Sequence, residues 1–216
     1  MTDEKDDLHD FTYKELEQLY DGVPKSDWLE ELNQTRFHTR RHLFTMYGLF
    51  GTPGSMLDIG CGLGETVFFS RRLGVDCWGV DQIVDKSWNK DWFFHHNLQD
   101  PFSLAQQGLP SVVDLVLCWE VAEHIPGDKT HIFMDTCANH LKNGENSFLV
   151  FTAAHPGQGG IEHTTERSSQ FWRDQFHERG LKYQENKTRK LALLWTNIDS
   201  PLWWLGNNVQ VFAFRS

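Results

Sequence analysis

Apolar residues along this chain fall into two alternating patterns: short runs that end at a glycine or an acid, and longer stretches in which they recur every three or four positions. The runs read as strands and the stretches as amphipathic helices. Residues 56–59 form such a run. It leads into Gly60, Gly62 and Gly64, then into a helix that opens with Glu65, turns Val67, Phe68 and Leu73 inward and stops at Gly74. A second run over 76–80 is followed at once by Asp81, and a third spans 91–98. Residues 112–118 are apolar except for Asp114, as expected of a parallel strand covered on both faces. Asp128 is placed to cap a helix with Ile132, Phe133, Cys137 and Leu141 inward, ended by Asn143 and Gly144. A strand over 147–152, a helix over 168–179 with Phe171, Trp172 and Phe176 inward and Gly180 as its stop, and strands over 181–184 and 209–214 complete the pattern. Strands alternating with helices predict an α/β fold with a mostly parallel sheet.

Two leader helices precede this core. Thr12 and Glu15 have capping-box spacing, with Phe11 and Leu16 as a hydrophobic staple, and predict a helix over about 13–20. Asp27 and Glu30 repeat the signal ahead of a longer helix carrying Trp28, Leu32, Phe37, Leu43, Phe44 and Tyr47. Residues 1–54 thus read as an acidic tail and leader helices, packed on the sheet edge or acting as a lid, and 55–216 as the main domain.

The first βα turn carries candidate chemistry. In a doubly wound fold a carboxylate at the end of the second strand meets a ribose hydroxyl pair, and Asp81 stands at that place. Dinucleotide sites use G-x-G-x-x-G to seat a pyrophosphate on a helix end. This chain has G-x-G-x-G led by Asp58, an acid that disfavours an anion and tolerates a cofactor bearing an ammonium and a sulfonium. The segment 57–64 resembles the first motif of the class I S-adenosylmethionine-dependent methyltransferases, and 113–126, with Trp119, Glu120 and His124, is similar to their fourth-strand block.

That resemblance, over roughly residues 40 to 185, implies a Rossmann-like, mostly parallel seven-stranded sheet flanked by helices, with an antiparallel last strand and S-adenosyl-L-methionine as cofactor. The binding set it implies is Asp58, Gly60, Cys61, Gly62, Glu65, Asp81, Gln82, Asn97, Leu98, Cys118, Trp119 and Glu120. The glycine turn and Asp58 would hold the methionine end, Asp81 the ribose, and Asn97 and Leu98 the adenine. Trp119, Glu120 and His124 would border the transferred methyl group.

A thirteen-residue loop, 153–165, follows the fifth strand and contains Gly157, Gly159, Gly160, His155 and His163. It resembles a P-G-Q-G-G…H loop of methyltransferases with sugar or small-metabolite acceptors. An imidazole is a natural base for a hydroxyl acceptor at neutral pH. His163 ranks first for that role and His155 second, while His124 sits in a block shared by enzymes with different acceptors and reads as structural or near the cofactor. Transfer without a histidine base remains an alternative.

Composition narrows the partners. The net charge is −10, and residues 1–21 hold eight acids against Lys5 and Lys14, so six of those charges lie there. Phosphate-rich partners need a basic track; only Arg36, Arg40 and Arg41 cluster, which makes a nucleic-acid methyltransferase the rival reading. A non-catalytic cofactor-binding protein is the other. Aromatic segments 191–195 and 201–205, with Trp195, Trp203 and Trp204, suggest a cap over a neutral or cationic ring such as a sugar or glycan. Cys61, Cys77, Cys118 and Cys137 lack metal-ligand spacing and read as free thiols. Adjacent His95 and His96 on a strand point to opposite faces, and no metal is predicted. With no apolar run near the ~20 residues that span a bilayer and an acidic N-terminus, the expected location is the cytoplasm.

Overall fold

A computed structural model describes residues 27–62, 64–83 and 91–214, with 27–37 described by backbone alone. The leader helix expected over 13–20 lies outside these residues. The described elements run α1 (Asp27–Phe50), β1 (Ser55–Ile59), α2 (Glu65–Arg72), β2 (Asp76–Asp81), β3 (Phe93–His95), β4 (Leu115–Trp119), α3 (Thr130–Asn139), β5 (Phe148–Thr152), α4 (Ser169–Glu178), β6 (Leu181–Tyr183), α5 (Glu185–Thr196), α6 (Trp203–Asn208) and β7 (Gln210–Phe214).

The strands form one seven-stranded sheet in the order β3-β2-β1-β4-β5-β7-β6. β1, β2, β3, β4 and β5 pair parallel, and β7 runs antiparallel to both β5 and β6. Strand alternation divides the core into two layers. Leu57, Ile59, Cys118 and Phe151 meet Phe133, Trp172 and Phe176 of α3 and α4 on one face. Met56, Leu117 and Val150 meet Leu43, Met46 and Tyr47 of α1, Val67 of α2 and Trp195 of α5 on the other. The second half of α1 therefore packs into the same core as the sheet.

Three expectations need correction. Leu73 is 51% exposed, and the inward face of α2 is Thr66, Val67 and Ser70. The surface beneath is polar: the Thr66 hydroxyl donates to Asp58, and Ser70 Oγ lies 2.7 Å from the Tyr47 hydroxyl. Asn143 and Gly144 do not end α3, which stops at Asn139, so that His140 can accept the Leu104 N–H at 3.1 Å and Val113 can bridge to Leu141. The aromatic segments fold as helices α5 and α6, and Trp195 is turned into the core, where its indole N–H donates to the His42 carbonyl at 3.0 Å. Trp195 is 1% exposed and caps no acceptor.

Gly74 does close α2. Its φ of +82° suits the left-handed position after a helix, and Val75 N–H returns to Ser70 O at 3.1 Å.

Candidate functional site

The strand order reverses between β1 and β4, the switch point where open α/β sheets bind ligands at their carboxyl edge. The turn after β1 lies there. Gly60 has φ +76°, and a Cβ on it would overlap Val121; Gly64 has φ +78°, and a Cβ there would enter the Phe93 ring. Asp81 Oδ2 accepts the Gly62 N–H at 2.9 Å and Oδ1 accepts the Ile83 N–H at 3.1 Å, which ties the end of β2 to the glycine turn.

Asp58 lies beneath the turn, 4% exposed and held by the Thr66 hydroxyl. Burial first, and then the charges of Asp81 and Glu65, push its carboxyl up to about 7. Burial also raises Asp81, opposed by the amides of Ile83 and Gly62. The carboxyl groups of Asp58, Asp81 and Glu65 thus lie near one another around the glycine turn.

Two of the predicted residues turn their side chains into the core. The Cys61 side chain packs under the turn, so close to Gly79 that a Cβ there would stand 2.7 Å from its Sγ, and only the Cys61 backbone borders the site. Cys118 is 0% exposed, because alternation along β4 turns its side chain to the α3–α4 face. Leu98 is buried against Phe102 in the same layer. Asn97 is exposed, and its Oδ1 accepts the Gln99 N–H at 3.0 Å to close the turn beyond β3. Gln82 is exposed beside Asp81.

At the end of β4, Trp119 is half-buried with its ring edge-on to Trp195 at 5.1 Å. Glu120 has a left-handed backbone, φ +53°, fixed by its N–H donating to Thr152 Oγ1 at 2.9 Å. Its carboxylate accepts from Asn208 Nδ2 at 3.1 and 3.2 Å and from Gln158 Nε2 at 3.4 Å. A short 3-10 turn, Ala122–His124, then places Glu123 wholly inside, where Oε1 accepts the Ala154 N–H at 3.1 Å and Oε2 has no partner among the described residues. Burial, then the adjacent Glu120 charge, lifts Glu123 to about 9.

The loop after β5 folds back onto this turn: Thr164 and Thr165 both donate backbone N–H groups to the Glu123 carbonyl at 2.9 Å. Glu166 gathers the loop, accepting from Gly157 N at 2.7 Å and Gly159 N at 2.9 Å and holding His163 Nδ1 at 3.0 Å. Those bonds, led by that from His163, lower its carboxyl. The His163 ring rests against Gly160 and stands edge-on to His124, centroids 4.9 Å apart. Partial burial, then His163, lowers the His124 pKa. One ligand atom from each of Glu123, His124 and His163 lies within 4.8 Å of the other two, a group that His155 does not join. Instead the His155 backbone bonds to Gln158, carbonyl to N–H at 2.9 Å.

Sequence reading missed Glu123, Gln158, Glu166 and Asn208 as site residues. Glu166 sits three residues after His163, a spacing that could have flagged it, whereas Asn208 is 88 residues from Glu120. A cleft of about 510 Å³ between the end of α1 and the amino ends of β1, β4 and β5 lies at the opposite edge of the sheet and shares no residue with this site.

Comparison with known proteins agrees with this layout. A family model described as methyltransferase domain matches residues 29–195. A ubiquinone biosynthesis O-methyltransferase of Pectobacterium carotovorum is 29% identical over 108 residues, 47% of this chain and 44% of that protein, so the match spans less than half of the curated relative's length. A SAM-dependent methyltransferase from Archaeoglobus fulgidus superposes with a TM-score of 0.58 at 15% identity, over 87% of this chain and 98% of that one. A sugar N-methyltransferase from a Streptoalloteichus species gives 0.56 at 14% identity, over 93% and 92%. At these identities the structural likeness is one of fold.

Proposed function

Because the chain belongs to the methyltransferase-domain family, we propose that it transfers the methyl group of S-adenosylmethionine to an oxygen or nitrogen of a small polar acceptor. The observation that carries this reading is the glycine turn locked to Asp81 at the switch point, with Asp58 and Glu65 beside it. When bound, the cofactor supplies a sulfonium-activated methyl group. The carboxylates of Asp58, Asp81 and Glu65 favour its positive charge. The bare Gly60 and Gly62 let it approach the backbone, and Asp81 keeps lone pairs for ribose hydroxyls after serving the Gly62 and Ile83 amides.

The acceptor enters between the β4 edge and the β5 loop. Activation of its hydroxyl or amine falls to the imidazole pair, His163 first because Glu166 orients it, with His124 alongside. Glu120, held by Asn208 and Gln158, faces the same region as a hydrogen-bond acceptor that selects for polar partners. A relative that is an O-methyltransferase of ubiquinone biosynthesis and a fold neighbour that is a sugar N-methyltransferase both fit a small acceptor. Four buried free thiols fit a reducing cytoplasm, and among the described residues no helix is long and apolar enough to cross a membrane.

Calorimetry tests the cofactor half. Charge-assisted bonds contribute about 1.5–3 kcal/mol each, so Asp81→Ala should weaken S-adenosylmethionine binding roughly ten- to a hundredfold in a folded protein. Equal affinity in wild type and variant would move the cofactor elsewhere. A labelled-methyl screen over phenols, amines, sugars and RNA tests the other half, and RNA as the main product would overturn the acceptor class.

A further inference from the structure

We propose that Glu123, His124 and His163 hold a divalent transition-metal ion on the acceptor side of the site. The three ligand atoms lie within 4.8 Å of one another. Donors bound at ~2.1 Å in tetrahedral or cis-octahedral positions are about 3.0–3.4 Å apart, so the farthest pair needs to close by up to about 1.5–2 Å to share an ion, within the reach of side-chain rotation.

The second observation is independent of that spacing. Glu123 is 0% exposed, its Oε1 is satisfied by Ala154 N–H, and its Oε2 has no partner among the described residues. Two buried carboxylates side by side, Glu120 and Glu123, with that Glu123 oxygen met by no neighbouring N–H or O–H, are costly as anions, and a cation seated between Glu123 and two imidazoles offsets that cost. The scaffold is already assembled. The paired bonds from Thr164 and Thr165 fasten the loop bearing His163 to the turn bearing Glu123 and His124. Glu166 fixes His163 through Nδ1, the carboxylate–imidazole support that metal-bound histidines commonly have. Glu120, whose carboxylate adjoins that of Glu123, is within reach as a further oxygen donor.

Two imidazoles with a carboxylate favour manganese, iron, cobalt or zinc over calcium or magnesium. The exposed flank at His124 leaves coordination positions for water and for an acceptor hydroxyl, which loses its proton to water more readily on an ion than free in solution. The histidine pair then activates the acceptor through the ion it holds. This use rests on the proposed methyl transfer, but ion binding does not.

The test uses the full chain, stripped with chelator, without cofactor or acceptor. Cobalt(II) is titrated by visible absorption and manganese(II) by electron paramagnetic resonance. One saturable ion per chain is expected, with affinity at least tenfold weaker in His124→Ala and in His163→Ala and unchanged in His131→Ala, a histidine outside the cluster. Melting temperature should rise with cobalt in the wild type and not in the two variants. His124 is on the surface, so its variant carries the test even if one at buried Glu123 fails to fold. Absence of saturable binding at millimolar metal overturns the site, as does binding that survives both substitutions. Failure to bind S-adenosylmethionine would leave these readouts untouched and count only against methyl transfer.

Discussion

Asp58 is where a single side chain ties stability to pH. Its folded carboxyl holds a proton up to about 7, against an ordinary 3.8, because it is buried and faces Asp81 and Glu65. Between those values the folded state binds more protons than the unfolded state, so stability falls as pH rises. Its contribution is complete below about 4 and is lost on approach to 7, at up to about 1.4 kcal/mol per pH unit. Asp58→Asn should flatten the fall in urea midpoint between pH 5 and 7; parallel profiles for wild type and variant would show that Asp58 titrates normally. At this scale the glycine turn and Asp81 were legible because they are local in sequence. The roles of Cys61 and Cys118 were not: a motif names the residues of a turn but not which of them point inward. Nor was the pairing of Glu120 with Asn208, which joins the ends of β4 and α6 only after folding.

Among the elements, α5 departs furthest from expectation. Thr188, Leu191 and Trp195 have helical spacing and are its buried residues, yet Gln184 provides no side-chain cap to announce its start. Read as an aromatic insertion, the segment suggested a cap; the 3.6-residue period makes it a core helix. Trp195 fastens α5 to α1 through His42 and braces Trp119 at the site. Trp195→Ala should cost about 3–5 kcal/mol, seen as a lowered urea midpoint, and lower cofactor affinity less than Asp81→Ala does. A loss under 1 kcal/mol would mean that the layer refills around the gap. By contrast α2 and α4 were placed well by their stops at Gly74 and Gly180, and Ser168 caps α4 by accepting the Phe171 N–H.

For the whole molecule, the seven-stranded, mostly parallel sheet and its antiparallel last strand were expected through the resemblance that two sequence blocks carry, whereas the strand order emerges only from the structure. The site draws on the turn after β1, the edge of β4 and the loop after β5, and so depends on the sheet as a rigid frame. Glu120 and Glu162, at φ +53° and +59°, are the non-glycine residues with positive φ among those described; Glu162 adjoins the histidine pair and Glu120 adjoins Glu123. A side chain in that conformation costs roughly 1–2 kcal/mol relative to glycine. Glu162→Gly should therefore raise the melting temperature by about 2–8 °C in a protein of this size, and an unchanged or lower value would show that the backbone there is not strained. Glu120→Gly would relieve the same backbone strain but lose the bonds from Asn208 and Gln158 to its carboxylate, worth about 1.5–3 kcal/mol each, so its melting temperature should not rise. An engineer selecting variants for heat resistance alone would therefore keep the first substitution and discard the second, because at Glu120 the strained backbone and the bonds that reward it belong to one residue.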